Sequence, residues 1–175
     1  MFNILGLDIS TSKVGISVLD SNEKILFCDF IIFKDNTLCE KASIFRKKIV
    51  EIYSKYKISD VFLEEPFISF QGGSSAKTVA ILHTFSGMCR YIIYDIFGFE
   101  CRLLSVNSAR KSLGIKMLKK MKAADKKKEI ADFVVKKYAN DIKLEYTKAG
   151  NLKAGYDDLC DSIIIAIYGI RIKEG

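Results

Sequence analysis

Carboxylates stand at the border of apolar runs in three separate parts of this chain. Asp8 is set in Ile4-Leu5-Gly6-Leu7-Asp8-Ile9, Glu64 closes Val61-Phe62-Leu63, and Asp157, Asp158 and Asp161 open a segment whose continuation, Ile163 to Ile167, is almost wholly apolar. Runs of that kind build a core, and a charged group carried to the core's edge is costly unless a partner meets it. On a helix, residues three or four apart share a face, so Asp158 with Asp161, or Asp157 with Asp161, can point at one spot. Each acid alone has an ordinary reading. Asp157 and Asp158 suit the positive end of a helix, Asp8 suits a strand-end turn bonded to the backbone of Ser10 to Ser12, and Glu64 suits a rim position before Pro66. All of them together in one small basic chain fit better with a shared site. Carboxylates from two strands and a helix start repel one another unless a counter-charge joins them, and hard oxygen donors of this type suit magnesium or manganese.

The surrounding pattern is α/β. Asn3–Ile9, Val14–Leu19 and Lys24–Phe33 read as three antiparallel strands, with a polar break at Asp20-Ser21-Asn22-Glu23. From Thr37 to Tyr56, Leu38, Ala42, Phe45, Ile49 and Ile52 recur at helical spacing. Val61 to Leu63 reads as a buried strand of a parallel pair. A loop at 71–75 then caps a long helix carrying Val79, Leu82, Phe85, Cys89, Ile92 and Ile96, closed by Phe97-Gly98. Cys101 to Val106 is a short strand, Asn107 caps a brief helix to Leu113, Ala124 to Tyr138 is helical, and a last helix runs from Tyr156 to about Ile172. Glu145 to Gly155, with two glycines and little apolar content, reads as a mobile connection. A mixed sheet of three antiparallel strands followed by parallel ones, with helices on both faces, is the order of a ribonuclease H-like fold.

With 175 residues the chain reads as a single domain, 1–175. A net charge of +7 and a pI near 9.1 point to anionic partners, nucleic acid first, a membrane surface second and an acidic protein third. No apolar run reaches the roughly 18 residues of a spanning helix, and Met1 to Gly6 lacks a basic leader, so a cytoplasmic location is expected. Cys28, Cys39, Cys89, Cys101 and Cys160 form no CxxC pair, which disfavours a disulfide framework or a zinc site. His83 falls in a helix pattern and receives no role.

The motifs resemble those of the RuvC-type Holliday junction resolvases of the ribonuclease H and integrase superfamily, bacteriophage members included. Leu5-Gly6-Leu7-Asp8-Ile9-Ser10-Thr11-Ser12 with Gly15-Ile16-Ser17-Val18 is similar to the first-strand motif. Phe62-Leu63-Glu64-Glu65-Pro66-Phe67 is similar to the second, and Asp158-Leu159-Cys160-Asp161-Ser162 to the closing DxxD. The resemblance implies Asp8, Glu64, Asp158 and Asp161 as ligands of two Mg2+ ions, with Mn2+ as a substitute; a one-residue shift would promote Glu65 or Asp157. It implies an endonuclease that resolves the four-way junctions of branched DNA by paired symmetric nicks, leaving 5′-phosphate and 3′-hydroxyl ends, and two symmetric cuts call for a two-fold homodimer. A broader fork or flap nuclease and a non-catalytic junction-binding module remain as alternatives. Relative to the bacterial family, the stretches around 116–122 and 145–155 are longer.

Between residues 111 and 128 stand Lys111, Lys116, Lys119, Lys120, Lys122, Lys126, Lys127 and Lys128 against the single acid Asp125, so this stretch carries the chain's whole excess charge. A solvated helix face explains any one of them, whereas their concentration suits a phosphate-tracking patch. The resemblance implies Lys111, and after it Lys127, as the basic residues near the scissile phosphate. Phe67 and Phe70, beside Gly72-Gly73, either pack under the second helix or stack on unpaired bases at a junction centre, the resemblance favouring Phe67 in that role.

Overall fold

The computed structural model describes residues 2–66, 75–117, 120–139 and 141–174. Strands β1 (Asn3–Ile9), β2 (Lys13–Asp20) and β3 (Ile25–Ile32) form the antiparallel meander. There follow α1 (Leu38–Lys55), β4 (Ile58–Glu64), α2 (Ala76–Phe97), β5 (Arg102–Leu104), α3 (Val106–Ser112), α4 (Ala123–Lys137) and α5 (Tyr156–Glu174). One sheet results, in the order β3-β2-β1-β4-β5, with β4 parallel to β1 and β5 parallel to β4. The mixed sheet is the one expected.

Alternation along the strands sorts the core into two layers. Leu5, Leu7, Val14, Ile16, Val18, Val61 and Leu63 pack with Phe45 and Ile49 of α1 and Phe85 and Ile93 of α2. Ile4, Leu19 and Phe62 face the other way, against Ile163, Ile164 and Ile167 of α5, with Ala109 of α3 and Val134 of α4 in the same cluster. Helices therefore cover both faces. Helix α5 is buried on nearly all sides, as expected of a helix apolar all round.

Local chemistry sets the helix ends. Thr37 and Glu40 form a capping box at α1. Gly98, at φ 77°, ends α2 in the left-handed conformation. Two expectations change. Ser105, not Asn107, caps α3 by accepting from the Ser108 N–H, so the helix begins at Val106 and the preceding strand shrinks to Arg102–Leu104. Burial of Val106 and Ala109 sets that phase. The segment 145–155 is a small ordered hairpin: Tyr146 bridges Leu152, Thr147 N donates to Asn151 O at 2.7 Å, and Lys153 N donates to Glu145 O at 2.9 Å. Gly150, at φ 79°, supplies its turn. Leu152 anchors the hairpin on the α5 core. No helix among the described residues is long and apolar enough to cross a membrane.

Candidate active site

The alternation that builds the core also gathers the acids. Ile4 and Phe62 pack on the α5 side of the sheet, so Asp8, four residues after Ile4, and Glu64, two after Phe62, project to that same side. Both lie at the carboxyl ends of neighbouring parallel strands, where Leu7 is in register with Leu63. On β2, Gly15 is paired with Asp8, and Lys13 shares its face.

Two glycines let α5 lie directly on the sheet. A Cβ on Gly15 would fall 2.0 Å from the Asp158 carbonyl oxygen, and one on Gly6 2.3 Å from that of Ser162. Backbone thus rests on backbone, and the first turns of α5 carry Asp158 and Asp161 over Asp8 and Glu64.

The cluster is electrostatically crowded. Burial first, then repulsion from Glu64, Asp161 and Asp158, hold the Asp8 carboxyl well above the usual range. Burial raises Asp161 to about 6, against the pull of Arg110, whose Nη2 donates to both carboxylate oxygens at 2.7 and 2.8 Å. Asp158 is likewise raised to about 6, by burial and by its neighbour Asp157. Lys13 Nζ lies 2.6 Å from Asp158 Oδ2 without hydrogen-bond geometry and donates to Asp157 Oδ1 at 3.0 Å. Burial works against ionisation of Asp157, yet the donors Lys127, at 2.6 Å, and Lys13 hold it below the usual carboxylate range. Burial opposes the charge on Lys13, but its two aspartates outweigh that and raise its pKa.

A hollow of about 230 Å³ opens over this cluster, with Asp8, Asp157, Asp158 and Asp161 on one side and Lys126 and Lys127 of α4 on the other. Glu64 stands beside Asp8, and Glu65 is exposed. Lys111 is exposed and lines a neighbouring hollow with Asn107, Arg110, Gly114 and Lys116. Lys120, Lys122 and Lys128 are exposed, and His83 is exposed on α2. Phe67, Phe70 and Lys119 lie outside the described residues. Among the described basic residues singled out in the sequence, Lys127 is the one paired with an acid of the site.

Two contributors, Lys13 and Arg110, escape the motif reading. Arg110 had a signal: on α3, Val106 and Ala109 face the core, and residue 110, four beyond 106, belongs to that side whereas 111 does not. Lys13 had one too, two residues before Gly15 on the same strand face. Its value emerges only once α5 is known to rest on Gly15.

The donor set is all carboxylate oxygen, the chemistry of Mg2+ and Mn2+. The raised carboxyl of Asp8, pressed by Glu64, Asp161 and Asp158, marks a cluster crowded with acid. The residues therefore fit a divalent cation in chemistry and charge. As the side chains stand, with Lys13 and Arg110 on the acids, no three acidic, histidine or cysteine groups among the described residues are arranged to grip one ion.

No family model matches the chain, and no curated protein matches its sequence. Solved structures do match its fold. Thermus thermophilus RuvC in complex with a Holliday junction substrate superposes with a TM-score of 0.71 at 14% identity, over 100% of this chain and 97% of the other. The yeast mitochondrial Holliday junction resolvase Ydc2 gives 0.58 at 17% identity, over 98% and 78%. Fowlpox virus resolvase, solved with substrate Holliday junction DNA, gives 0.51 at 14% identity, over 99% and 100%. The chain thus has the ribonuclease H-like fold of the RuvC-type resolvases.

Proposed function

We propose that the chain is a metal-dependent endonuclease that resolves four-way DNA junctions. The observation that carries this is the convergence of Asp8, Glu64, Asp158 and Asp161 at the carboxyl ends of two parallel strands, under the lysines of α4, in a fold shared with proteins solved on junction DNA. Two Mg2+ ions held by those four carboxylates would supply an activated water and stabilise the leaving 3′ oxygen. The chain's own groups do the rest. Lys126 and Lys127 offer positive charge where a phosphate must sit against four acids. Lys13 clamps the start of α5 through Asp157 and Asp158, and Arg110 orients Asp161.

Resolution needs two symmetric cuts, so a two-fold homodimer presenting one site to each of two strands is the assembly geometry demands. The products carry 5′-phosphate and 3′-hydroxyl ends, which a ligase can reseal.

A panel of labelled four-way junction, fork, flap and linear duplex tests the assignment. Cutting of the junction in preference to the other substrates, with ligatable ends, is expected. Equal cutting of forks and flaps would make it a general branched-DNA nuclease, and binding without cutting in magnesium or manganese would make it a junction-binding module.

A further inference from the structure

Beside the acidic hollow lies a second, larger one of about 570 Å³ that no part of the mechanism uses. The hairpin at 145–155 forms one wall with Tyr146, Asn151 and Leu152, and the start of α4 forms the other with Ala124, Lys127 and Lys128. Lys127, Ala123 and Asp157 line both hollows, so the two adjoin.

Resting on the nuclease assignment above, we propose that this hollow is a subsite for one unpaired nucleotide of the strand being cut, its base stacked on Tyr146 and its edge read by Asn151. The volume falls within the span of single-ligand sites, about 300–1,000 Å³, and is too small for a duplex. Tyr146 is 46% exposed, an aromatic surface open to a ligand. The Asn151 side chain is likewise open, since the hairpin uses only that residue's backbone groups. Asp125 and Asp132 also line the hollow. They repel a phosphate there and accept from the exocyclic amine of a base, so the base enters and its phosphates stay with Lys127 and Lys128. An extruded base in a fitted pocket is how proteins read nucleotides one at a time, and stacking on one aromatic ring is worth about tenfold in binding.

The test uses the full chain on a four-way junction in EDTA, with 5-iododeoxyuridine placed in turn at each position around the cut sites. On long-wavelength irradiation, crosslinking to Tyr146 is expected from one or two positions flanking the cut and from no remote position. Tyr146→Phe should keep the crosslink. Tyr146→Ala should lose it, melt like wild type because the ring is exposed, and bind a junction with an unpaired nucleotide at that position about tenfold more weakly. Asn151→Ala should keep the affinity but flatten the preference among the four bases there. Crosslinks only at other residues, or Tyr146→Ala with unchanged affinity, would overturn the subsite while leaving the nuclease standing. Failure to bind any junction would overturn both.

Discussion

Gly15→Ala asks whether the site depends on direct contact between α5 and the sheet. The added Cβ would stand 2.0 Å from the Asp158 carbonyl oxygen, 2.2 Å from its carbonyl carbon and 2.7 Å from Leu159 N, all backbone atoms that no rotamer change can remove. Reaching ordinary contact at 3.4 Å requires a displacement of about 1.4 Å, taken up by the first turn of α5. Overpacking of this kind costs about 1–3 kcal/mol, which for a chain of this size lowers the melting temperature by roughly 2–12 °C. Catalysis should suffer more, because the helix carries Asp158 and Asp161 away from Asp8, and a misplacement of about 1 Å costs on the order of 100-fold. Gly87→Ala is the control: it lies inside α2 with nothing within 4 Å of the added carbon, and should stabilise by about 0.5–1 kcal/mol with cleavage unchanged. Differential scanning fluorimetry and single-turnover junction cleavage read the two effects separately. A Gly15→Ala protein that melts and cuts like wild type would refute the close-contact reasoning.

Other expectations concern the charges. In the metal-free protein, Asp158 and Asp161 are raised to about 6 from 3.8, so the folded state binds more protons than the unfolded one between those values. Their contribution to stability is therefore present at pH 4 and lost as pH rises to 6, by about 2–3 kcal/mol each. Asp157, held low, acts in the opposite sense but only below about pH 4, outside that window. Urea unfolding in EDTA at pH 4.5 and 7 should show the slope, and Asp161→Asn should reduce it; an unchanged slope would contradict the assignment. Asp8→Asn should raise the metal-free melting temperature, because the buried carboxyl it replaces is opposed by three neighbouring acids; a lower melting temperature would count against that crowding. Arg110→Ala strands Asp161 and should cost about 3 kcal/mol in EDTA, a deficit that magnesium narrows if the ion takes over the counter-charge. Equal losses in EDTA and magnesium would argue that it does not.

Much of this architecture is legible in local pattern. The apolar run Ile4-Leu5-Gly6-Leu7 and the helical spacing from Leu38 to Ile52 name their own elements, the first because both layers of the core draw on it and the second because one layer does. The acids announce themselves by sitting where apolar runs end. What stays hidden depends on contacts between distant segments. Lys13 becomes part of the site only because Gly15 admits α5, more than 140 residues later. The nearness of Arg110 rather than Lys111 to Asp161 follows from the phase of a helix too short to show periodicity, and Ser105 caps that helix two residues earlier than Asn107 would. The hairpin at 145–155 reads as a loose connection because its polar surface hides the one anchoring residue, Leu152. Its order comes from tertiary packing and a glycine turn.

The most direct measurement is cleavage of a strand-labelled four-way junction by the purified protein in magnesium, with EDTA and Asp8→Asn alongside. Paired nicks at symmetric positions on two opposing strands, seen with wild type in magnesium and absent in both controls, are the expected result. Junction binding without nicks in magnesium or manganese, or nicks that persist in Asp8→Asn, would contradict a carboxylate-held metal site as the source of the activity.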